Sequence, residues 1–158
     1  MRRFTLIALF CLALLAACGG DDDAHEAGRL TVDDVTANLA LPSDTGAIYL
    51  HIHNETDRDE ALLGATVPGC AAVEIHDMIM DGDVMKMRPV DGGVPIPAGE
   101  TVKLGHGGLH MMCIGKTADF AVGDSVPVTL EFANAGAMEV TAEIIDPTTY
   151  SHMEMDDD

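Results

Sequence analysis

Short runs of alternating apolar and polar residues, broken every few positions by turn-forming clusters, leave this chain few folds other than an all-β one. The runs are Leu30 to Asn38, Ala47 to Asn54, Ala61 to Val67, Ala71 to Met78, Val84 to Val90, Thr101 to Leu104, Leu109 to Ile114, Val126 to Ala133 and Met138 to Ile145. Between them lie breaker clusters such as Pro42-Ser43-Asp44, Pro68-Gly69, Asp81-Gly82, Asp91-Gly92-Gly93 and Pro97-Ala98-Gly99. Alternation with period two presents one face to a core and one to water, whereas no segment sustains a capped 3.6-residue period. The expected architecture is a Greek-key β-sandwich or small barrel, in one domain spanning residues 29–146.

The ends of the chain belong to other categories. Residues 1–17 carry a basic start (Arg2, Arg3) and a short apolar run, which reads as a cleaved signal and is too short to span a membrane. Leu15-Ala16-Ala17-Cys18 resembles a bacterial lipobox, in which Cys18 becomes the lipidated first residue. Residues 18–28 then form a polar tether, and the protein faces the periplasm from a membrane surface, held by its acyl chains. Removing Arg2 and Arg3 takes the formal charge from −19 to −21, which argues against nucleic-acid partners. Cys70 and Cys113 are left as a candidate disulfide, although regular parity puts Cys70 on the His76 side and Cys113 on the opposite one. The pairing therefore needs an irregular strand near Pro68-Gly69.

Strand parity also selects candidate ligands. If Val73 and Ile75 face the core, His76 and Met78 face away, and His110 and Met112 share a face opposite Met111 and Cys113. His76, Met87, His110 and Met112 follow the spacing H-x10-M, a gap of 22 residues, then H-x-M. Imidazole with thioether selects copper, and two thioethers favour Cu(I). Methionine more often fills cores; here methionines crowd near the two histidines while the buried runs use Val, Leu and Ile. Parity leaves Met78 and Met85 as further candidates.

The stretch VEIHDMIMDGDVMKMRPVDGGVPIPAGETVKLGHGGLHMM, with Ala47-Ile48-Tyr49-Leu50 and His53-Asn54 upstream, resembles the periplasmic Cu(A) chaperones, the PCuAC family. The resemblance covers roughly Arg29 to Ile145 and is densest from Val73 to Lys116. It implies a cupredoxin-like fold and one Cu(I) held by His76, Met87, His110 and Met112. It also implies delivery to the copper-bearing subunit of cytochrome c oxidase, directly or through a thioredoxin-like copper carrier. The gap from Met87 to His110 is slightly longer than the family's, at the Gly92-Gly93 turn. Cys113 is not part of the motif.

Two other groups carry metal-binding chemistry. His51 and His53 share an outward face and either join carboxylates in a harder site or are simply solvated. The tail, residues 147–158, contains His152, Met153 and Met155, which are either a second copper hook, with Cu(II) among its cargo, or a polar terminus. Competing functions are a copper-resistance buffer with no specific acceptor, a redox enzyme, and a metal-free structural module. No CxxC and no base-and-nucleophile set supports an enzyme. The expectation is a monomeric carrier that exchanges ligands and does not catalyse.

Overall fold

A computed structural model describes residues 28–146, in which ten strands and no helices occur. They are β1 (Leu30–Asn38), β2 (Thr45–Asn54), β3 (Glu60–Thr66), β4 (Cys70–Asp81), β5 (Val84–Pro89), β6 (Val94–Ile96), β7 (Thr101–Leu104), β8 (His110–Lys116), β9 (Ser125–Phe132) and β10 (Gly136–Ile144). Cys18 and the candidate tail ligands His152, Met153 and Met155 lie outside the described residues. The hydrogen-bonded order is β5-β4-β8-β2-β1-β10-β9-β3-β6, with β7 also pairing β2. All pairings are antiparallel except β1 with β10, which run parallel through Thr36↔Glu143 and Ala37↔Ile144.

One hydrophobic cluster draws residues from both arms of this sheet: Ile75, Met111 and Cys113 from one side, Leu62, Val128, Leu130 and Phe132 from the other, with Ile48, Leu50 and Ile52 between. A single sheet whose two arms face the same core must fold over on itself, which makes the sandwich. The alternation in β9 is strict, with Val126, Val128, Leu130 and Phe132 inside. Each such side chain contributes on the order of 1.5–3 kcal/mol by burial.

β6 is the strand that alternation does not reveal. It has three residues with Pro95 at its centre, and proline is tolerated there because β6 ends the strand order and pairs only with β3. Asn54 closes the neighbouring loops. It is buried, its Nδ2 lies 2.8, 2.9 and 3.1 Å from the carbonyls of Arg58, Ile96 and Pro97, and its Oδ1 accepts from the Thr56 hydroxyl at 2.6 Å. A buried amide so fully satisfied fixes loop geometry where an apolar residue could not.

Cys70 and Cys113 are joined as a disulfide, with Cα atoms 5.5 Å apart. The irregularity that parity demanded is supplied by two glycines in left-handed conformation: Gly69 (φ 90°) immediately before β4 and Gly115 (φ 64°) inside β8. The β4–β8 register pairs Cys70 with Lys116 and Ala72 with Ile114, leaving Ala71 and Gly115 out of the ladder. The bond lies on the core side, where Cys113 is fully buried.

Candidate metal centre on β4, β5 and β8

His76 and His110 are direct cross-strand partners on β4 and β8. Directly paired residues of an antiparallel ladder project to the same side, so the registers define one continuous surface. On its central rung are Pro89, His76 and His110; on the rung toward the disulfide are Glu74 and Met112; on the rung toward the β4–β5 turn are Met87 and Met78; beyond them are Met85 and Met80. The imidazole rings meet edge to face, with centroids 6.0 Å apart and planes at 86°. One ion with bonds of roughly 2 Å to each ring can span such a pair.

Both ring tautomers are set by neighbours. His76 Nε2 lies 2.9 Å from the Glu74 carboxylate, which can only accept, so Nε2 carries the proton and Nδ1 keeps its lone pair. That Nδ1 is buried and has no hydrogen-bond partner. His110 Nδ1 donates to the Gly108 carbonyl at 2.8 Å, which leaves Nε2 as the basic nitrogen. A carboxylate behind one imidazole and a backbone carbonyl behind the other are the arrangement that orients metal-ligating histidines. An orphaned buried acceptor costs about 1–3 kcal/mol, which a bound cation would remove.

Depth is where the structure departs from expectation. Parity places both histidines away from Ile75 and Met111, as found, but neither is exposed: His76 is 9% and His110 is 5% accessible. Parity reports side and not depth, and each histidine sits on an interior strand with paired strands on both flanks. The methionines are less covered than the histidines. Met112 and Met78 are partly covered, whereas Met87 and Met85 on the edge strand are each 45% accessible and Met80 is 62%.

Register separates the methionine candidates that parity could not. Met87 pairs with Met78, one rung from His76, whereas Met85 pairs with Met80, a rung further. At about 3.4 Å per residue that rung lies roughly 14 Å along the strand from His76. The hairpin carries its charges on its other side, where Asp81 accepts from Lys86 (2.6 Å) and Arg88 (3.3 Å). The sequence Met85-Lys86-Met87-Arg88 thus alternates thioether and cation. Gly82 (φ 67°) provides the first central residue of the two-residue turn, between paired Asp81 and Val84.

Sequence reasoning turns Glu74 outward with His76 but gives it no role, and it overlooks Gly108. Glu74 is two residues before His76 and shares its face, so parity carried a signal; the Gly108 carbonyl carried none. Cys113, buried opposite Met112, is excluded from this surface by its disulfide. His51 and His53 are not simply solvated: His51 Nδ1 lies 3.2 Å from Asp34, and His53 Nε2 lies 3.0 Å from Asp33.

Comparison with known proteins agrees with this architecture. The chain is similar to the apo PCuAC domain from PmoF1, with a TM-score of 0.64 and 22% identity over 77% of this chain and 97% of that domain. The copper-bound PCuAC domain from PmoF2 gives 0.63 and 20%, over 77% and 96%. The solution structure of Cu(I)-DR1885 from Deinococcus radiodurans gives 0.60 and 25%, over 84% and 87%. In sequence, Lxx21020 of Leifsonia xyli subsp. xyli, named as a lipoprotein, is 27% identical over 150 residues, covering 92% of this chain and 90% of that protein. The ten-stranded fold is therefore that of PCuAC domains, and a family model described as LpqE-like matches residues 30–144: the chain belongs to the LpqE-like family.

Proposed function

We propose that this protein is an envelope copper chaperone that carries one Cu(I) between His76 and His110, with Met112 and Met87 completing the set and Met78 as the alternative to Met87. The observation that carries the reading is the histidine pair itself. Two buried imidazoles meet edge to face with their N–H groups committed to Glu74 and Gly108, and methionines occupy the neighbouring rungs of the same face. Neutral imidazoles and uncharged thioethers suit a soft monovalent ion. The likeness to copper-bound PmoF2 and Cu(I)-DR1885 supports the same cargo.

The mode of action is ligand exchange. The site leaves the complex cationic, and the thioethers, less covered than the imidazoles and most open at Met87, can be displaced first by a partner's thiolates while the imidazoles hold the ion. The acceptor proposed is the copper-bearing subunit of cytochrome c oxidase, reached directly or through a thioredoxin-like carrier. Lipidation at Cys18 would keep this exchange at a membrane surface.

Copper K-edge absorption of protein loaded under reducing conditions, with a Cu(I) competition titration, tests the reading. One equivalent of Cu(I) with mixed nitrogen and sulfur ligation is expected. Cu(I) binding unchanged in His76→Ala and His110→Ala would refute the site. Saturable binding with no transfer to an apo cuproprotein would favour a buffer over a chaperone.

A further inference from the structure

We infer a second metal site, for a divalent cation of the Cu(II) class, formed by Asp33, Asp34 and His51 on β1 and β2. One donor atom from each of the three converges within 4.8 Å of the others. His51 Nδ1 is 3.2 Å from Asp34 Oδ2 and 3.7 Å from Asp33 Oδ1. Donors bound to one ion at 2.0–2.2 Å lie about 3–4 Å apart, so the cluster closes on a metal with little movement once the metal displaces the proton that His51 Nδ1 directs at Asp34, and binding releases that proton to solvent.

Consecutive residues of a regular strand point to opposite faces, so Asp33 and Asp34 should not meet the same histidine. A β-bulge makes them do so: the β1–β2 register shifts between Asp33 and Thr36, and Asp34 adopts a φ of 50°. Asp34 is the one non-glycine residue with positive φ among the described residues. Aspartate adopts the left-handed region more readily than most residues, and here the bulge brings its carboxylate round to His51. The first carboxylate is also held from behind. His53 Nε2–H donates to Asp33 at 3.0 and 3.1 Å, which leaves its Nδ1 to accept from the Thr101 hydroxyl at 2.9 Å.

Two carboxylates and an imidazole, with no sulfur, reject Cu(I) and suit borderline divalent ions, among which Cu(II) binds tightest. Lys103, opposite His51 on β7, forms no ion pair with either carboxylate among the described residues. His51 lies on the same side of β2 as Ala47, the cross-strand partner of Met112. The two sites therefore lie on the same side of the sheet and differ in the class of metal they take. This goes beyond the proposed Cu(I) function and does not depend on it.

The test is Cu(II) titration of the full chain, followed by calorimetry and electron paramagnetic resonance, for wild type, His51→Gln, Asp34→Asn and Asp34→Gly. The glycine variant removes the carboxylate while tolerating the left-handed backbone, so loss of binding with an intact melting curve cannot be ascribed to misfolding. The expected result is one Cu(II) in a nitrogen and oxygen environment that weakens at least tenfold in all three variants, with Cu(I) affinity unchanged. Cu(II) binding that is identical in wild type and variants, or that disappears on deleting residues 147–158 alone, would overturn the site.

Discussion

The two ends of β4 are built on opposite principles. At its start, Cys70 is bonded to Cys113 and lies against the common core; at its finish, Met78, Met80 and Asp81 run out into a hairpin whose second strand is exposed at every residue. His76 sits at the transition, inside the buried part but one rung from the exposed thioethers. The difference teaches how a carrier can combine retention with release. Imidazoles on stiff, paired strands are preorganised, whereas thioethers on an edge strand are adaptable and open to attack.

Removing the covalent end should have the largest effect. The bridge closes a loop with a sequence separation of 43, and its loss is expected to cost about 4 kcal/mol. Cys70→Ala with Cys113→Ala, compared with wild type by urea denaturation, measures it. If the β4 start is what holds the histidines in place, the double variant should also lose Cu(I) affinity. An unaffected affinity would mean the core alone positions them.

Next come the histidines, whose replacement by alanine should weaken Cu(I) binding by at least about 100-fold while shifting the apo melting temperature less than the cysteine variant does. Glu74→Gln is a subtler probe, because it leaves the ligand and removes only the carboxylate that orients it. Outer partners of this kind are typically worth 10–100-fold in metal affinity.

The thioethers should follow in a graded order set by register. Met112→Leu and Met87→Leu are near-isosteric and cost little stability, so a fall of roughly tenfold in Cu(I) affinity would reflect the sulfur alone. Met85→Leu, a rung further out, should leave equilibrium affinity unchanged. Equal losses for Met85 and Met87 would erase the distinction between the rungs.

The smallest effect is expected at Glu60, on β3. Burial pushes the Glu60 carboxyl up, but the backbone N–H groups of Ala61, Asn134 and Ala135 and the Asn134 side chain together hold its pKa below the ordinary value. A lowered folded-state pKa contributes stability above the unfolded pKa, and that stability is lost as pH falls through the folded value. Glu60→Gln should therefore lower the melting temperature at pH 7 slightly, on the order of 1–2 °C, and converge with wild type in acid. A difference that persists below the carboxylate range would point to packing instead.

Most of the fold was legible because alternation is a direct consequence of a one-sided core, and β1 and β7 coincide with the runs read from sequence. β6 was not legible, since three residues around Pro95 give no period. For the metal centre, parity fixed the side of His76, His110 and Met112, but depth depends on which strands flank them in the finished sheet. The meeting of Asp33 and Asp34 at His51 was beyond any parity argument, because the bulge cancels the alternation on which parity relies.

The parallel pairing of β1 with β10 sets the polarity of the whole molecule. Thr36 and Ala37, near the end of β1, adjoin Glu143 and Ile144 at the end of β10, so Leu30 lies at the far pole from Ile144. If residues preceding Leu30 lead to a lipid at Cys18, the attachment enters at the pole holding Leu30 and Asn54, and Ile144 marks the opposite pole. Antiparallel β4 advances from the Cys70 end toward the pole of Leu30, so the methionine hairpin and the start of β1 lie at the same end of the sheet.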